Sequence, residues 1–246
     1  MSTVGILGFG EIGSSVGKVY EQHSDFKVLV KDLNRDDDLK NIDCLNVCIP
    51  YSDKFVDIVT KQVEYSKPNL VIVHSTVIPG TINELEKNIS AAIVHSPVMG
   101  IHPNLYEGIM TFTKFIGANK TQYAKLAEKH LNSLGVKTQV CDSSKSTELG
   151  KILSTTYYGT VIATHGEMKK ICDEFNVSFS EAVTMFNDVY NAGYTKLGKL
   201  NVVRPVLYPP QNDKIGGHCV IPNAKLLKKC LKESNKIIEL ILKYDK

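Results

Sequence analysis

No segment of this chain approaches the roughly 20 consecutive apolar residues that a membrane-spanning helix needs. Its opening, Met1-Ser2-Thr3, lacks the basic and apolar regions of a secretory signal and runs straight into a strand-like segment. The six cysteines (Cys44, Cys48, Cys141, Cys172, Cys219 and Cys230) include no Cys-x-x-Cys pair. They read as reduced thiols, neither a disulfide framework nor a zinc site. Charge of one sign is scarce as well. Lys and Arg total 29 against 26 acids, a net +3, too little for a basic face that would hold nucleic acid. Internal repeats and low-complexity blocks are missing. What is present is ordinary: 246 residues, 43% hydrophobic and 22% charged, too apolar for disorder and long enough for one large or two modest domains. These features predict a folded cytoplasmic protein that acts on a small molecule, with no membrane or nucleic-acid partner.

Short β-rich runs alternate with helical stretches over the first 140 residues. Val4–Leu7, Lys27–Val30, Cys44–Ile49, Leu70–Val73, Ala92–Val94, Lys114–Ile116 and Val136–Val140 are the strand candidates. Residues 11–22, 53–64, 82–88 and 121–134 are the helical ones. Near-continuous apolar strands separated by helices form parallel sheets covered on both faces. The ten residues between Asp32 and Asp43 are too few for a helical crossover and predict a loop or single turn. After Cys141 the pattern changes. A polar hinge, Asp142 to Ser146, precedes one long predicted helix from Thr147 to Asn176. Ser178 and Glu181 then have capping-box spacing for a helix from Phe179 to about Asn191. Residues 201–217, with three prolines, predict an irregular loop, and 224–244 one or two amphipathic helices. The expected fold is α/β: an N-terminal Rossmann domain with a doubly wound parallel sheet, residues 1–142, followed by a smaller all-α domain with a long central helix, residues 143–246.

Gly8-Phe9-Gly10-Glu11-Ile12-Gly13 follows the first strand and opens the first helix. The first Gly makes the tight turn, the second lets a pyrophosphate approach the backbone, and the third lets helix and strand pack closely. Asp32 closes the second strand, 19 residues past Gly13, where a carboxylate accepts both hydroxyls of an adenosine ribose. It favours NAD by repelling a 2′-phosphate, while Lys31 and Arg35 keep NADP as an alternative. The expected cofactor-binding residues are Gly8, Gly10, Glu11, Ile12, Gly13, Asp32, Pro50, Ser75 and Thr76.

Other candidates lie at carboxyl ends of strands, which face the ligand in such sheets. Thr76 is placed to bond a substrate, a nicotinamide or a water, though Ser75 and Thr76 also suit turn capping. His95 and His102 follow a further strand. Without a carboxylate or cysteine at ligand spacing they are read as polar contacts to substrate, not as a metal site. Lys151 opens the long helix. An ammonium stabilises developing oxyanion charge, but a helical lysine is ordinarily a solvated surface residue. Cys219 follows Gly216-Gly217-His218 in a loop with little side-chain bulk, a setting that suits either an activated nucleophile or a buried structural thiol. Arg204, Gly217 and His218 join the expected substrate contacts.

In order and spacing, four segments resemble the UDP-glucose/GDP-mannose (nucleotide-sugar) 6-dehydrogenase family. They are Gly8 to Gly13, the strand end Ser75 to Thr81, Glu148-Leu149-Gly150-Lys151, and Gly216-Gly217-His218-Cys219-Val220-Ile221-Pro222. The resemblance implies two successive NAD-dependent oxidations of a sugar C6 alcohol to a carboxylate. It makes Cys219 the nucleophile, Lys151 the oxyanion-stabilising lysine and Thr76 a water-positioning hydroxyl. It also implies a homodimer built on the long helix. Related 3-hydroxyacid dehydrogenases share the first two domains.

The chain departs from the family pattern in length, since a C-terminal nucleotide-sugar-binding domain is expected after the cysteine loop; the expectation is therefore a truncated form. Thr155 stands where the family has Asn, and Asn223 where it has Asp. An amide cannot accept a proton as a carboxylate does, so Asn223 and Thr155 bear on whether a thioester is hydrolysed. The leading expectation is an NAD-dependent oxidoreductase acting on a sugar-derived or other small alcohol or aldehyde, with no metal. Alternatives are a two-electron-only enzyme, a non-catalytic NAD-binding homologue, or a 3-hydroxyacid dehydrogenase-like enzyme.

Overall fold

A computed structural model describes residues 1–245. The Val-, Ile- and Leu-rich runs form strands: β1 (Ser2–Leu7), β2 (Phe26–Asp32), β3 (Arg35–Asp36), β4 (Cys44–Val47), β5 (Leu70–Val73), β6 (Ala92–His95), β7 (Lys114–Gly117) and β8 (Thr138–Cys141). They make one eight-stranded sheet in the order β3-β2-β1-β4-β5-β6-β7-β8. Helices α1 (Glu11–Glu21), α2 (Phe55–Ser66), α3 (Thr81–Asn88), α4 (Leu105–Thr111) and α5 (Thr121–Ser133) connect them. The chain runs from β1 outward to β2 and then returns to the other side of β1 as β4. That reversal puts the switch point of the sheet between the carboxyl ends of β1 and β4, where ligands bind in open α/β sheets.

Alternation along the strands explains the two faces. Val4, Ile6, Cys44, Leu70, Ile72, Ala92 and Val94 join one apolar cluster with Val16, Val19 and Tyr20 of α1, Leu105 of α4 and Leu131 of α5. Their neighbours Leu7, Leu45, Val47, Val71, Val73 and Ile93 join the opposite cluster with Phe55 and Val59 of α2 and Ile82 and Leu85 of α3. Successive side chains of a strand point to opposite faces, so a strand buried on both sides must be apolar at every position. Each fully buried Val, Leu or Ile contributes roughly 1.5–3 kcal/mol relative to exposure.

Three details correct the expectations. The segment after Asp32 is not a plain loop: β3 pairs antiparallel with β2, Lys31 opposite Asp36 and Asp32 opposite Arg35. The sheet is not wholly parallel, because β7 meets β6 in antiparallel sense at His95 and Gly117. α4 occupies a stretch where no helix is expected; its seven residues are too few to show a periodic pattern.

The chain divides into two compact units, Met1–Lys151 and Ile152–Lys246, and the division falls within a 31-residue helix, α6 (Ser144–Glu174). In the second unit follow a π-helical segment (Ser180–Met185), α7 (Phe186–Lys196), short 3-10 turns at Leu200–Val202 and Gln211–Asp213, α8 (Val220–Cys230) and α9 (Lys236–Leu242). Ser180 to Met185 departs from the regular α-helix expected there, and no side chain caps that turn. The core of this unit gathers Ile152, Ala163, Ile215, Val220, Ala224, Leu227, Ile238, Ile241 and Tyr244. Gly159 admits Val220 and Gly166 admits the Tyr244 ring, each at a distance a Cβ would block. The Tyr244 hydroxyl donates to Glu167 at 2.5 Å. Among the described residues no helix is long and apolar enough to cross a membrane.

Gly13 tests the packing of α1 on β1. A Cβ there would stand 1.9 Å from the Gly8 carbonyl oxygen, a main-chain atom that cannot swing aside. Gly13→Ala is expected to lower stability by at least about 3 kcal/mol, seen as a fall in Tm of roughly 6–12 °C. An unchanged Tm would show that the turn is not as tight as described.

Candidate functional site

The turn between β1 and α1 is built around what glycine permits. Gly8 has φ +90° and donates its N–H to the Lys31 carbonyl at 2.8 Å. A Cβ on Gly8 would meet the Ile49 nitrogen at 2.8 Å, whereas one on Gly10 would meet nothing within 4 Å. Gly10 is the N-cap of α1, with no side chain capping the helix start. Open space over a glycine and an uncapped helix N-terminus suit the close approach of a pyrophosphate. Asp32 completes the mouth of the turn: its carboxylate accepts the Phe9 N–H through one oxygen and the Leu33 N–H, at 2.6 Å, through the other. Each oxygen retains acceptor capacity for ribose hydroxyls. The donor set therefore fits a dinucleotide. Ile12 is half-buried, and Glu11 is exposed and paired with His102. Pro50 is exposed beyond β4, on the far side of the switch point.

The loops after β5 and β6 are held by groups beneath them. Ser75 is buried and donates to the Ile49 carbonyl at 2.7 Å, so it braces the loop after β4, while Thr76 is half-buried beside it. Glu148, fully buried on α6, accepts the N–H groups of Gly80 at 2.6 Å and Ile82 at 2.8 Å. It caps α3 from another element. Burial pushes its carboxyl up, and the two amide bonds oppose that rise. His95 corrects an expectation. It is fully buried, with Nε2 donating to the Ser75 carbonyl at 3.1 Å and Nδ1 meeting the Thr147 hydroxyl at 2.9 Å. With both ring nitrogens committed to the protein, it braces the interior and does not face substrate. Burial drives its imidazole down to about 3.

Two lysines grip one short run of carbonyls after β6. Lys114 donates to Ser96 O at 2.7 Å and Pro97 O at 3.1 Å, and Lys151 to Val98 O at 2.9 Å. Lys114 is buried, and desolvation pulls its ammonium down to about 7, with the Lys151 charge adding to the drop and Cys48 opposing it. His74 reaches the same Ser96 carbonyl at 3.1 Å and the Asn46 amide at 2.9 Å. The sequence reading missed Lys114, His74 and Asn46 because each sits in or beside an apolar strand run. A lysine opening a strand of otherwise buried residues was the available signal. Glu148 was seen only as part of a motif.

In the second unit Cys219 is the N-cap of α8, partly exposed, and its carbonyl accepts the Asn223 N–H at 3.1 Å. Gly217 has φ +81°, and Gly216, Gly217 and His218 are exposed. The two departures from the family pattern meet: Asn223 Nδ2 donates to Thr155 Oγ1 at 3.0 Å, and Thr155 Oγ1 donates to the Ile152 carbonyl at 2.8 Å. Arg204 is exposed and lies over the Tyr190 ring, 3.5 Å from its centroid, with its backbone bonded to the Asn191 amide.

The fold is shared with solved nucleotide-sugar dehydrogenases and with a 3-hydroxyisobutyrate dehydrogenase. The chain is similar to the UDP-N-acetyl-D-mannosamine dehydrogenase of Methanocaldococcus jannaschii, 24% identical in an alignment of 195 positions that covers 72% of this chain and 42% of that protein. The chain thus spans less than half the length of the curated relatives it matches. Among solved structures it resembles the UDP-D-ManNAc dehydrogenase of Pyrococcus horikoshii, with TM-score 0.77 and 17% identity over 98% of this chain and 68% of the other. A 3-hydroxyisobutyrate dehydrogenase of Mycobacterium tuberculosis has TM-score 0.68 and 14% identity over 98% and 91%. No protein-family model matches.

Lys114 and His95 predict a pH dependence of stability. The folded chain releases the Lys114 proton near pH 7, the unfolded chain only near 10.5. Between those values the unfolded state binds more protons, so stability rises with pH. His95 acts in the same sense between about 3 and 6.5. Lys114→Met should flatten the upper rise while largely leaving the lower one, measured by urea unfolding at about pH 4, 5.5, 7, 8 and 9.5. An identical upper slope in the variant would assign the rise to other groups.

Proposed function

We propose that this chain is an NAD-dependent oxidoreductase that oxidises a small alcohol or aldehyde, with a nucleotide sugar as the favoured substrate class. The observation that carries the reading is the meeting of the Gly8–Gly13 turn with the Asp32 carboxylate at the switch point of the sheet. Sequence similarity to UDP-N-acetyl-D-mannosamine dehydrogenases supports the substrate class. In this reading residues 1–142 hold the cofactor, through Gly8, Gly10, Glu11, Ile12, Gly13, Asp32, Pro50, Ser75 and Thr76. Residues 143–246 carry the thiol chemistry and a homodimer contact, for which the exposed Tyr157, Tyr158, Met168 and Ile171 of α6 offer apolar surface. His102, Arg204, Gly217 and His218 contribute to substrate contacts.

The nicotinamide, when bound, accepts hydride from the carbon being oxidised. Lys151 stabilises the alkoxide left as the hydroxyl proton departs to water, since an ammonium acts most strongly on charge that develops in the transition state. Cys219 then adds through sulfur to the aldehyde carbon. The thiol proton passes to the aldehyde oxygen as the thiohemiacetal forms. With a second oxidised dinucleotide to take its hydride and water to take its hydroxyl proton, this species would become a thioester, which water aligned by Thr76 would cleave to a carboxylate and the regenerated thiol. The contact between Asn223 and Thr155 favours a second reading, in which the reaction stops after one two-electron step. An amide nitrogen already donating to a hydroxyl is not a base for water.

NADH formation with a panel of nucleotide sugars and small hydroxyacids tests the proposal. Cys219→Ser and Lys151→Ala are each expected to lower kcat at least about 100-fold, and undiminished turnover in both would remove their assigned roles. Two NADH and one carboxylate per substrate would discard the two-electron reading. Absence of any calorimetric signal with NAD would overturn the cofactor assignment itself.

A further inference from the structure

The β2–β3 hairpin sets Arg35 directly across from Asp32. If Asp32 receives the adenosine ribose, a 2′-phosphate on that ribose would need a cation beside it, and Arg35 and Lys31 are the basic residues flanking Asp32 in the hairpin. Both are already engaged. Arg35 donates to a single Asp37 oxygen through Nε at 3.0 Å and Nη2 at 2.9 Å. Lys31 Nζ lies 2.6 Å from Asp36 Oδ1.

The Asp37 side is set in place before Arg35 arrives. The same oxygen, Oδ2, accepts the Val30 N–H at 2.8 Å, so a main-chain bond of β2 fixes the carboxylate. That bond, with Arg35 adding to it, holds the Asp37 carboxyl below the usual carboxylate range. Ion pairs between two mobile surface side chains are weak because both must be ordered. Here only the arginine has to be ordered, and its guanidinium also lies over the Phe9 ring, 5.8 Å from the centroid.

We propose that Asp37, with Asp36 as its counterpart on Lys31, makes the site selective for NAD over the 2′-phosphorylated dinucleotide by withholding the two basic residues of the hairpin that carries Asp32. Asp32 repels a 2′-phosphate, and the hairpin carboxylates remove the groups that would compensate. The inference rests on the dinucleotide reading above. It adds that selectivity resides in residues that need not touch the cofactor.

The experiment is calorimetric binding of NAD and NADP to the whole chain at low salt, read as the ratio of the two Kd values. Asp37→Asn should lower the NADP-to-NAD Kd ratio about three- to tenfold, as Arg35 becomes available for a charge-assisted bond to phosphate. Arg35→Ala in the Asp37→Asn background should restore the native ratio, which a merely structural role for Asp37 would not do. Asp38→Asn removes the same charge from a residue that bonds Tyr65 and the Lys40 N–H instead, and should leave the ratio unchanged. An unchanged ratio in Asp37→Asn with NAD binding intact would overturn this inference alone. So would an equal drop in Asp38→Asn, or failure of Arg35→Ala to reverse the effect. No binding of either dinucleotide to the native chain would overturn it together with the cofactor assignment.

Discussion

The chain must leave β1 and start α1 with almost no room between them. Gly8 turns with a positive φ, Gly13 presses against the Gly8 carbonyl, and the Phe9 amide in between is held by Asp32. This one clamp joins the ends of β1 and β2 and aims the start of α1 across the switch point. The rest of the sheet follows from ordinary burial of aliphatic strands on two faces.

A second constraint operates beneath the loops. Carbonyls that follow β6 lie inside the protein and need donors, and an unpaired buried carbonyl costs free energy comparable to a lost hydrogen bond. Lys114, Lys151 and His74 supply those donors to Ser96, Pro97 and Val98. Glu148 performs the converse service for the amides of Gly80 and Ile82. Burying ionisable groups is expensive unless they are hydrogen-bonded, and each of these is bonded to main chain. The loops after β5 and β6 are thereby fixed by groups whose partners are backbone atoms.

The residues that depart from the nucleotide-sugar dehydrogenase pattern are also partners. Thr155 and Asn223 lie 68 positions apart and share a hydrogen bond. Read singly, each looks like a lost catalytic group. Read as a bonded pair, they form a self-consistent polar contact in which an amide donates and a hydroxyl accepts. The distinction bears on how far the proposed oxidation proceeds, because a hydroxyl–amide pair lacks the basicity that a carboxylate brings to water activation.

Periodicity and glycine placement determined most of the strands and covering helices and the tight turn from β1 into α1, because burial on two faces and a positive φ leave direct marks on residue type. Sequence left other matters open. His95 looked like a ligand contact and is an internal brace. Lys114 looked like the edge of a strand and is a buried donor. The crossover after Asp32, expected as a loop or single turn, contains a paired hairpin that sets Arg35 opposite Asp32. Hydrogen bonds between residues far apart in the chain decided the first two of these. Such partnerships leave no local pattern, since a side chain's role depends on which carbonyl, amide or carboxylate the fold brings within about 3 Å of it.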